Sequence, residues 1–202
     1  MSDIIALFGS PRRGGNTALL LQQAVAGARE TGATVEEIYL RDLKISPCLE
    51  IYQCIKTGQC AIKDDFPAIL ARLQKARGIM LASPIFFYTV SAHTKIFMDR
   101  CQSVWVNKYW REKTAFGDWP VKRKGLFISV GATGGKRLFD GALLTVKYFF
   151  DVLDTKLDQT LLCRNLDHKG EVRSHPDYLA AAKSAGADQA RAIRDLPVPA
   201  DG

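Results

Sequence analysis

The sequence predicts an α/β domain built on a five-stranded parallel sheet. Five short apolar runs, typical of strands buried on both faces of a parallel sheet, are spread along the 202 residues. Segments with helical periodicity separate these runs, and neither an internal repeat nor a linker interrupts the alternation. We therefore expect one domain over residues 1–196, followed by a C-terminal tail over residues 197–202.

The first strand and the first helix are the clearest elements. Residues 4–8 are wholly apolar and predict a buried strand, which ends at the turn signal Gly9-Ser10-Pro11. A helix is predicted over residues 17–30, and Asn16 or Thr17 is expected to cap it. The order of this region is thus strand, glycine-rich loop and helix N-terminus.

Residues 9–17, the phosphate loop, join these two elements. The position suits an anion, because a helix start presents unpaired N–H groups and the positive end of the helix dipole. Neither the dinucleotide pattern G-x-G-x-x-G nor the Walker pattern occurs here, so the loop fits a terminal monophosphate, with an ordinary βα turn as the alternative. The expected phosphate contacts are Ser10, Arg12, Asn16 and Thr17.

The rest of the chain continues the alternation. Further strands are predicted over residues 34–40, 78–83, 126–130 and 156–163. Further helices are predicted to open at Asp64-Asp65 and to cover residues 91–103, 138–153 and 176–194. Residues 105–124, which are aromatic and basic, are expected to be irregular.

The candidate site follows from a rule about open parallel sheets, whose ligands bind outside the carboxyl ends of the strands. It comprises the loops after strands one, three and four, which are residues 10–17, 84–88 and 131–135. Glycines in the third loop permit a close backbone approach to a ligand, and a flexible βα turn is the equal alternative. Hydrophobic periodicity alone leaves the order of the strands open.

Two stretches carry a resemblance to a known family. The phosphate loop, GSPRRGGNT, and residues 83–100, SPIFFYTVSAHTKIFMDR, resemble flavodoxin-like NAD(P)H-dependent FMN reductases, in particular the branch that includes the iron–sulfur flavoproteins. The resemblance implies a three-layer αβα sandwich with strand order 2-1-3-4-5. It also implies FMN as the cofactor, NAD(P)H as co-substrate, and assembly as a homodimer or homotetramer.

The same resemblance implies which residues hold the flavin. In relatives the backbone after the proline runs beside the ring and offers N–H groups to its N5 and O4 edge. Beyond the phosphate loop, the implied residues are Pro84, Ile85, Phe86, Phe87, Tyr88, Gly131, Thr133 and Gly134. Core packing or a subunit interface is the alternative for at least one of the three aromatics. A charge set that stabilises its own helix is the favoured interpretation of Lys95, Asp99 and Arg100.

Residues 48–60, the cysteine segment, contain Cys48, Cys54 and Cys60. By resemblance these match the first, third and fourth cluster cysteines of iron–sulfur flavoproteins, and Ile51 stands where the second would be. A four-iron cluster prefers four Cys ligands and zinc also needs a fourth ligand, so we expect neither metal. The alternative is a cluster held by the three cysteines and one ligand from outside. Free thiols or a redox-labile pair are the favoured interpretations. Two further cysteines are expected to be buried as small apolar residues, Cys101 and Cys163.

The charge of the chain is basic but diffuse. The formal net charge is +7 and the pI is about 9.2, yet the densest basic stretch, residues 108–124, also contains Glu112 and Asp118. This distribution favours attraction of phosphorylated small molecules over binding of nucleic acid. No apolar run approaches the roughly 18–20 residues of a membrane span, and no secretory signal is visible, so a cytoplasmic protein is expected.

Together these expectations describe an FMN-dependent oxidoreductase. Hydride would pass from NAD(P)H to FMN and on to a quinone, flavin, nitro or azo compound, metal ion or protein acceptor. Hydride transfer requires no side-chain acid or base, so no catalytic residue is expected. The alternatives are a flavodoxin-type electron carrier that does not oxidise NAD(P)H itself, and a non-catalytic regulatory or nucleic-acid-binding protein.

Overall fold

A computed structural model describes residues 2–115 and 121–196 of the chain. Five parallel strands form one sheet in the order β2-β1-β3-β4-β5, which confirms the order implied by the resemblance. The strands are β1 Ile4–Phe8, β2 Val35–Tyr39, β3 Gly78–Pro84, β4 Arg123–Val130 and β5 Thr155–Cys163. The three central strands, β1, β3 and β4, are therefore neighbours.

The helices connect the strands close to where the sequence predicts them. They are α1 Asn16–Glu30, α2 Gln53–Thr57, α3 Phe66–Lys75, α4 Ala92–Arg100, α5 Gln102–Trp105, α6 Asp140–Val152 and α7 Pro176–Ala192. Short 3₁₀ turns occupy Leu40–Asp42 and Glu171–Ser174, and a π-helical turn occupies Val106–Arg111.

The two faces of the sheet bury separate hydrophobic cores. Because successive strand side chains point to opposite faces, Ile4, Ala6 and Phe8 enter one core, which α1 and α7 cover. Ile5 and Leu7 enter the other core, which α3, α4 and α6 cover. The result is the expected three-layer αβα sandwich.

Glycines set the close packing of α1 against α7. A Cβ atom on Gly27 would lie 1.9 Å from the carbonyl oxygen of Lys183, and one on Gly186 would lie 1.9 Å from that of Ala24. Neither position accepts a side chain without moving a helix backbone. The C-terminal half of α1 is thereby held against α7 by direct backbone contact.

The expectation that residues 105–124 are irregular is wrong for the first part of that range. Helical structure continues through α5 and the π-helical turn, where Trp105 packs against Tyr109 and Trp110 with ring centroids 5.4 and 5.2 Å apart. The strand β4 also begins three residues before its predicted start, at Arg123, whose guanidinium donates to the carbonyls of Leu73, Gln74 and Leu153. Residues 116–120 lie outside the described part of the chain.

The last described helix, α7, ends at Ala192. The tail predicted over residues 197–202 lies outside the described residues, and the single domain over residues 1–196 stays a prediction. Within residues 2–115 and 121–196, none of the helices combines the length and the apolar character needed to cross a bilayer.

Candidate functional site

The carboxyl edge of the sheet brings the three expected loops side by side. Strands β1, β3 and β4 are adjacent, and hydrogen bonds join their ends. The N–H of Gly9 donates to the carbonyl of Ala82 (2.7 Å), and the N–H of Ile85 donates to that of Val130 (2.9 Å). The sequence therefore predicted correctly that these loops share one edge.

A buried hydroxyl network fixes the start of the phosphate loop. Ser91 Oγ donates to the carbonyl of Gly9 (2.5 Å), and the same oxygen accepts from the N–H of Thr94 at the start of α4 (3.3 Å). A Cβ atom on Gly9 would lie 2.1 Å from Thr94 Oγ1 and 2.8 Å from the carbonyl oxygen of Ala82. Gly9 is thus required by the close approach of α4 and β3.

The start of α1 presents backbone donors that no described residue satisfies. Gly15, rather than Asn16 or Thr17, is the N-cap residue, and no side chain caps the helix, so the predicted cap is wrong. Within the described residues, no hydrogen bond is made to the N–H groups of Asn16, Thr17 and Ala18. Three open N–H groups at the positive end of a 15-residue helix are the kind of donor set to which anions bind.

Two side chains of the phosphate loop add free donors. Thr17 is only 2% exposed, and its hydroxyl forms no hydrogen bond among the described residues. Arg12 is exposed and forms neither an ion pair nor a side-chain hydrogen bond within the same ranges. Its neighbour differs, because the guanidinium of Arg13 pairs with Asp42 (2.5 Å) and lies over the ring of Tyr39.

Ser10 and Asn16 use their side chains to shape the loop. Ser10 Oγ accepts from the N–H of Arg12 (3.2 Å) and closes the turn. Asn16 Nδ2 donates to the carbonyl of His168 (2.9 Å), and Asn16 Oδ1 accepts from the N–H of Val172 (3.1 Å). The side chain of Asn16 therefore ties the loop to the segment after β5, and its backbone N–H remains open.

The second loop is a tight turn with an unusual backbone. The N–H of Phe86 donates to the carbonyl of Thr89 (2.9 Å), and the N–H of Thr89 donates back (3.0 Å). The φ angles of Phe87 and Tyr88 are +48° and +63°, a left-handed conformation that costs energy for large side chains. With the N–H of Ile85 also bonded, Phe87 and Tyr88 carry the open donors of this loop among the described residues.

The aromatic side chains of the second loop do not join the core. Phe86, Phe87 and Tyr88 are all exposed, and Phe87 is 98% exposed. Core packing is therefore wrong as an interpretation of these residues, and a ligand or a subunit interface remains. The first residue of the loop, Pro84, ends β3.

The third loop uses its first glycine for packing. The N–H of Gly131 donates to the carbonyl of Cys163 (2.9 Å), and a Cβ atom on Gly131 would lie 2.5 Å from Leu138 Cδ2. The close approach at this glycine is therefore to a protein side chain. Thr133 and Gly134 are exposed at the same edge of the sheet, and their contact with a ring stays a prediction.

The cysteine segment forms a second feature, beside α5. The half-buried thiols of Cys48, Cys54 and Cys60 line one apolar cleft together with Leu49, Ile51, Tyr52 and Ile62. Among residues 2–115 and 121–196, no three His, Cys, Asp or Glu side chains are arranged to hold a metal ion. Cys101 and Cys163 are buried as expected, and burial raises the pKa of both thiols, that of Cys163 to about 12.

Arg100 corrects the prediction of a helix charge set. Lys95 and Asp99 do form an exposed pair one turn apart (2.6 Å), as expected. The Arg100 side chain is instead fully buried and pairs with Asp64, and it also donates to the carbonyl of Ser46 (2.9 Å). Sequence reasoning missed this contact because the partners lie 36 and 54 residues away.

Comparison with known proteins identifies the family. The model of the family described as NADPH-dependent FMN reductase matches residues 2–157, which is more than half of the chain. An iron-sulfur flavoprotein of Methanocaldococcus jannaschii is 39% identical over 110 residues, which cover 54% of this chain and 57% of that protein. An iron-sulfur flavoprotein of Archaeoglobus fulgidus is 34% identical over 144 residues, which cover 70% and 69%.

A solved structure supports the fold. The NAD(P)H:quinone oxidoreductase from Methanothermobacter marburgensis superposes with a TM-score of 0.67 and 16% identity, covering 92% of this chain and 94% of that chain. At this identity the likeness is one of fold, and together with the strand order it makes the fold flavodoxin-like. The match over residues 2–157 shows that the chain belongs to the NADPH-dependent FMN reductase family.

Proposed function

We propose that the chain binds FMN and works as an oxidoreductase that takes hydride from NAD(P)H. The observation that carries the proposal is the set of free donors at the start of α1. The phosphate loop and the first turn of α1 carry three N–H groups without an acceptor among the described residues, the hydroxyl of Thr17 and the exposed guanidinium of Arg12. These donors fit a terminal phosphate, which accepts several charge-assisted hydrogen bonds at once.

Each loop has a separate part in holding the cofactor. The phosphate loop binds the phosphate, with Asn16 and Ser10 holding the loop in shape. In the second loop, Phe87 and Tyr88, whose N–H groups have no acceptor among the described residues, would donate to the edge of the ring, and residues 131–135 would lie beside it. When bound, FMN would accept the hydride from NAD(P)H and pass the electrons to the acceptor. We assign no catalytic side chain.

We propose that this chain works without an iron–sulfur cluster, although its relatives are named iron-sulfur flavoproteins. A four-iron cluster prefers four thiolates, and the cysteine segment offers three. No arrangement of three suitable ligands occurs among the described residues. The terminal acceptor in this proposal is a quinone, a flavin, a nitro or azo compound, a metal ion or a protein.

We also propose a homodimer or homotetramer in the cytoplasm, without a nucleic-acid partner. The support for assembly is the exposed apolar surface of the second loop and the neighbouring helix α6, where Leu144 and Tyr148 are both 59% exposed. A hydroxyl contact of 3.4 Å between Thr89 and Thr145 joins the loop to this helix. Contiguous exposed apolar surface is typical of protein interfaces.

The first experiment compares two adjacent arginines by titrating FMN-free protein with FMN. Arg12→Ala should weaken FMN binding about 10- to 100-fold, because a hydrogen bond to a charged group contributes about 1.5–3 kcal/mol. The matched control, Arg13→Ala, should change the affinity less than about threefold, since Arg13 already pairs with Asp42 at the surface. Equal effects of the two substitutions would refute the assignment of Arg12.

A second measurement separates the enzyme from an electron carrier. Steady-state oxidation of NADPH is followed with a quinone or dye as the acceptor, and without an added reductase. The proposed reductase turns over under these conditions. A flavodoxin-type carrier binds FMN equally well and oxidises almost no NADPH, so binding without turnover would replace the proposal with that alternative.

A further inference from the structure

We infer that Cys60 is a modification site for small apolar electrophiles, and that Arg100 positions and activates its sulfur. The inference is independent of the flavin site, because it rests only on the cysteine segment and on the residues that hold it. The electrophile class that fits is an alkene conjugated to a carbonyl, which is soft and has an apolar body.

The cysteine segment is a built structure held from outside. Arg111 Nη1 donates to the carbonyls of Ile55 (3.1 Å) and Lys56 (2.6 Å), and Asn107 Nδ2 donates to that of Gly58 (2.8 Å). These bonds satisfy carbonyls at the C-terminal end of α2. The helix is only five residues long, so these carbonyls have no partners within it. The thiols of the segment are thereby held in fixed positions.

Arg100 reaches Cys60 from the protein interior. Its side chain is 0% exposed, and Nη2 lies 3.3 Å from Cys60 Sγ and 3.3 Å from the carbonyl oxygen of Ile62. Burial acts to lower the pKa of Arg100, but its hydrogen bonds to Asp64 and Cys60 outweigh burial and raise it. The guanidinium therefore remains charged, and its bonds to Asp64 and Ile62 hold it at hydrogen-bond distance from the sulfur.

The other four thiols lack this combination of access and charge. Cys101 and Cys163 are buried, and burial raises their pKa. Cys48 and Cys54 line the same cleft, but no hydrogen bond to either sulfur is made within the described residues. Reactive thiols combine partial exposure with a neighbouring cation, and among the five cysteines Cys60 is the half-buried one that accepts a hydrogen bond from a guanidinium.

The cleft supplies the apolar surface that the electrophile needs. Leu49, Ile51, Tyr52 and Ile62 line it next to the three thiols. In the reaction, the sulfur of Cys60 forms a bond to the β-carbon of the conjugated alkene, whose π electron pair moves toward the carbonyl oxygen. The thiol proton ends on the α-carbon, so no oxidant or reductant takes part.

The test is the rate of alkylation by N-ethylmaleimide, a conjugated alkene, with each cysteine followed by peptide mass spectrometry on the full-length protein. Cys60 should react about tenfold or more faster than Cys48 and Cys54, as expected for a thiol beside a cation. Cys101 and Cys163 should react only after unfolding. Equal rates at the three cleft thiols would overturn the inference.

Two variants examine the role of Arg100. Arg100→Lys, which keeps a cation, should retain a preference for Cys60, and Arg100→Met should abolish it. If neither variant folds, the ratio of rates in the unsubstituted chain decides alone. Iron and acid-labile sulfide analysis of protein purified without oxygen completes the test, because about four iron atoms per chain would make Cys60 a cluster ligand and overturn the inference.

Discussion

The phosphate loop and the cysteine segment both connect strands of the same sheet to the elements that follow. They differ in whether their backbone polar groups have hydrogen-bond partners within the described residues. Where the phosphate loop enters α1, the N–H groups of Asn16, Thr17 and Ala18 have no acceptor among the described residues. In the cysteine segment, side chains from a distant part of the chain satisfy the carbonyls of Ile55, Lys56 and Gly58.

This difference separates a site prepared for a ligand from a site that the protein completes itself. Open donors at a helix start cost stability until an anion binds them, so the ligand contributes to their satisfaction. A segment held by side chains of its own chain needs no ligand to be ordered. Substitutions in the first region should therefore change FMN affinity, and those in the second should change the free energy of unfolding.

The largest expected effect is on stability, at Asp64. The carboxylate accepts from both terminal nitrogens of buried Arg100 and from the N–H groups of Ser46 and Phe66. Asp64→Asn leaves a buried charge unpaired and should lower the free energy of unfolding by about 3 kcal/mol, measured by urea denaturation. The matched control, Asp99→Asn, breaks an exposed pair and should cost less than about 1 kcal/mol.

The pH dependence of the same variant sharpens this result. Burial acts to raise the pKa of Asp64, but the hydrogen bonds from Arg100, Ser46 and Phe66 outweigh it and lower the pKa. A carboxyl with a lowered pKa stabilises the fold fully above its unfolded value of about 4, and loses this contribution as the pH falls below that value. Asp64→Asn should lack that part of the acid dependence, and an unchanged acid profile would contradict the account.

A smaller effect, on binding alone, is expected at Thr17. Thr17→Val keeps the shape of the side chain and removes a hydroxyl that has no partner among the described residues. The free energy of unfolding should change by less than about 1 kcal/mol, and FMN affinity should fall about tenfold or more with the loss of one charge-assisted hydrogen bond. A variant that binds FMN normally would remove Thr17 from the phosphate site.

The sequence predicts local structure better than contacts between residues that are far apart along the chain. The strand, the loop and the helix at residues 4–30 are local, because apolar runs, glycines and helical periodicity are visible within a few residues. The contacts of Arg100 and Asn16 join residues far apart along the chain, so their side chains were expected in a helix charge set and at the phosphate. Local sequence patterns do not predict such long-range partners.

In the second loop too, the sequence predicts the position of the loop but not the conformation of its backbone. Its place at the edge of the sheet follows from strand order, which the resemblance implied. The left-handed conformations of Phe87 and Tyr88, and the use of the Ile85 N–H by Val130, depend on how β3 meets β4. The open donors, Phe87 and Tyr88, therefore lie two and three residues beyond Ile85, which hydrophobic periodicity does not reveal.

The most direct test of the account compares FMN with riboflavin, which has the same ring and lacks the phosphate. Titration of the flavin-free protein should give an affinity for FMN at least about 100-fold higher, equivalent to roughly 2.7 kcal/mol, because the donors at the start of α1 bind only the phosphate. In Arg12→Ala that ratio should fall while riboflavin affinity stays the same. Equal affinities for the two flavins would contradict the central claim that the phosphate loop holds FMN.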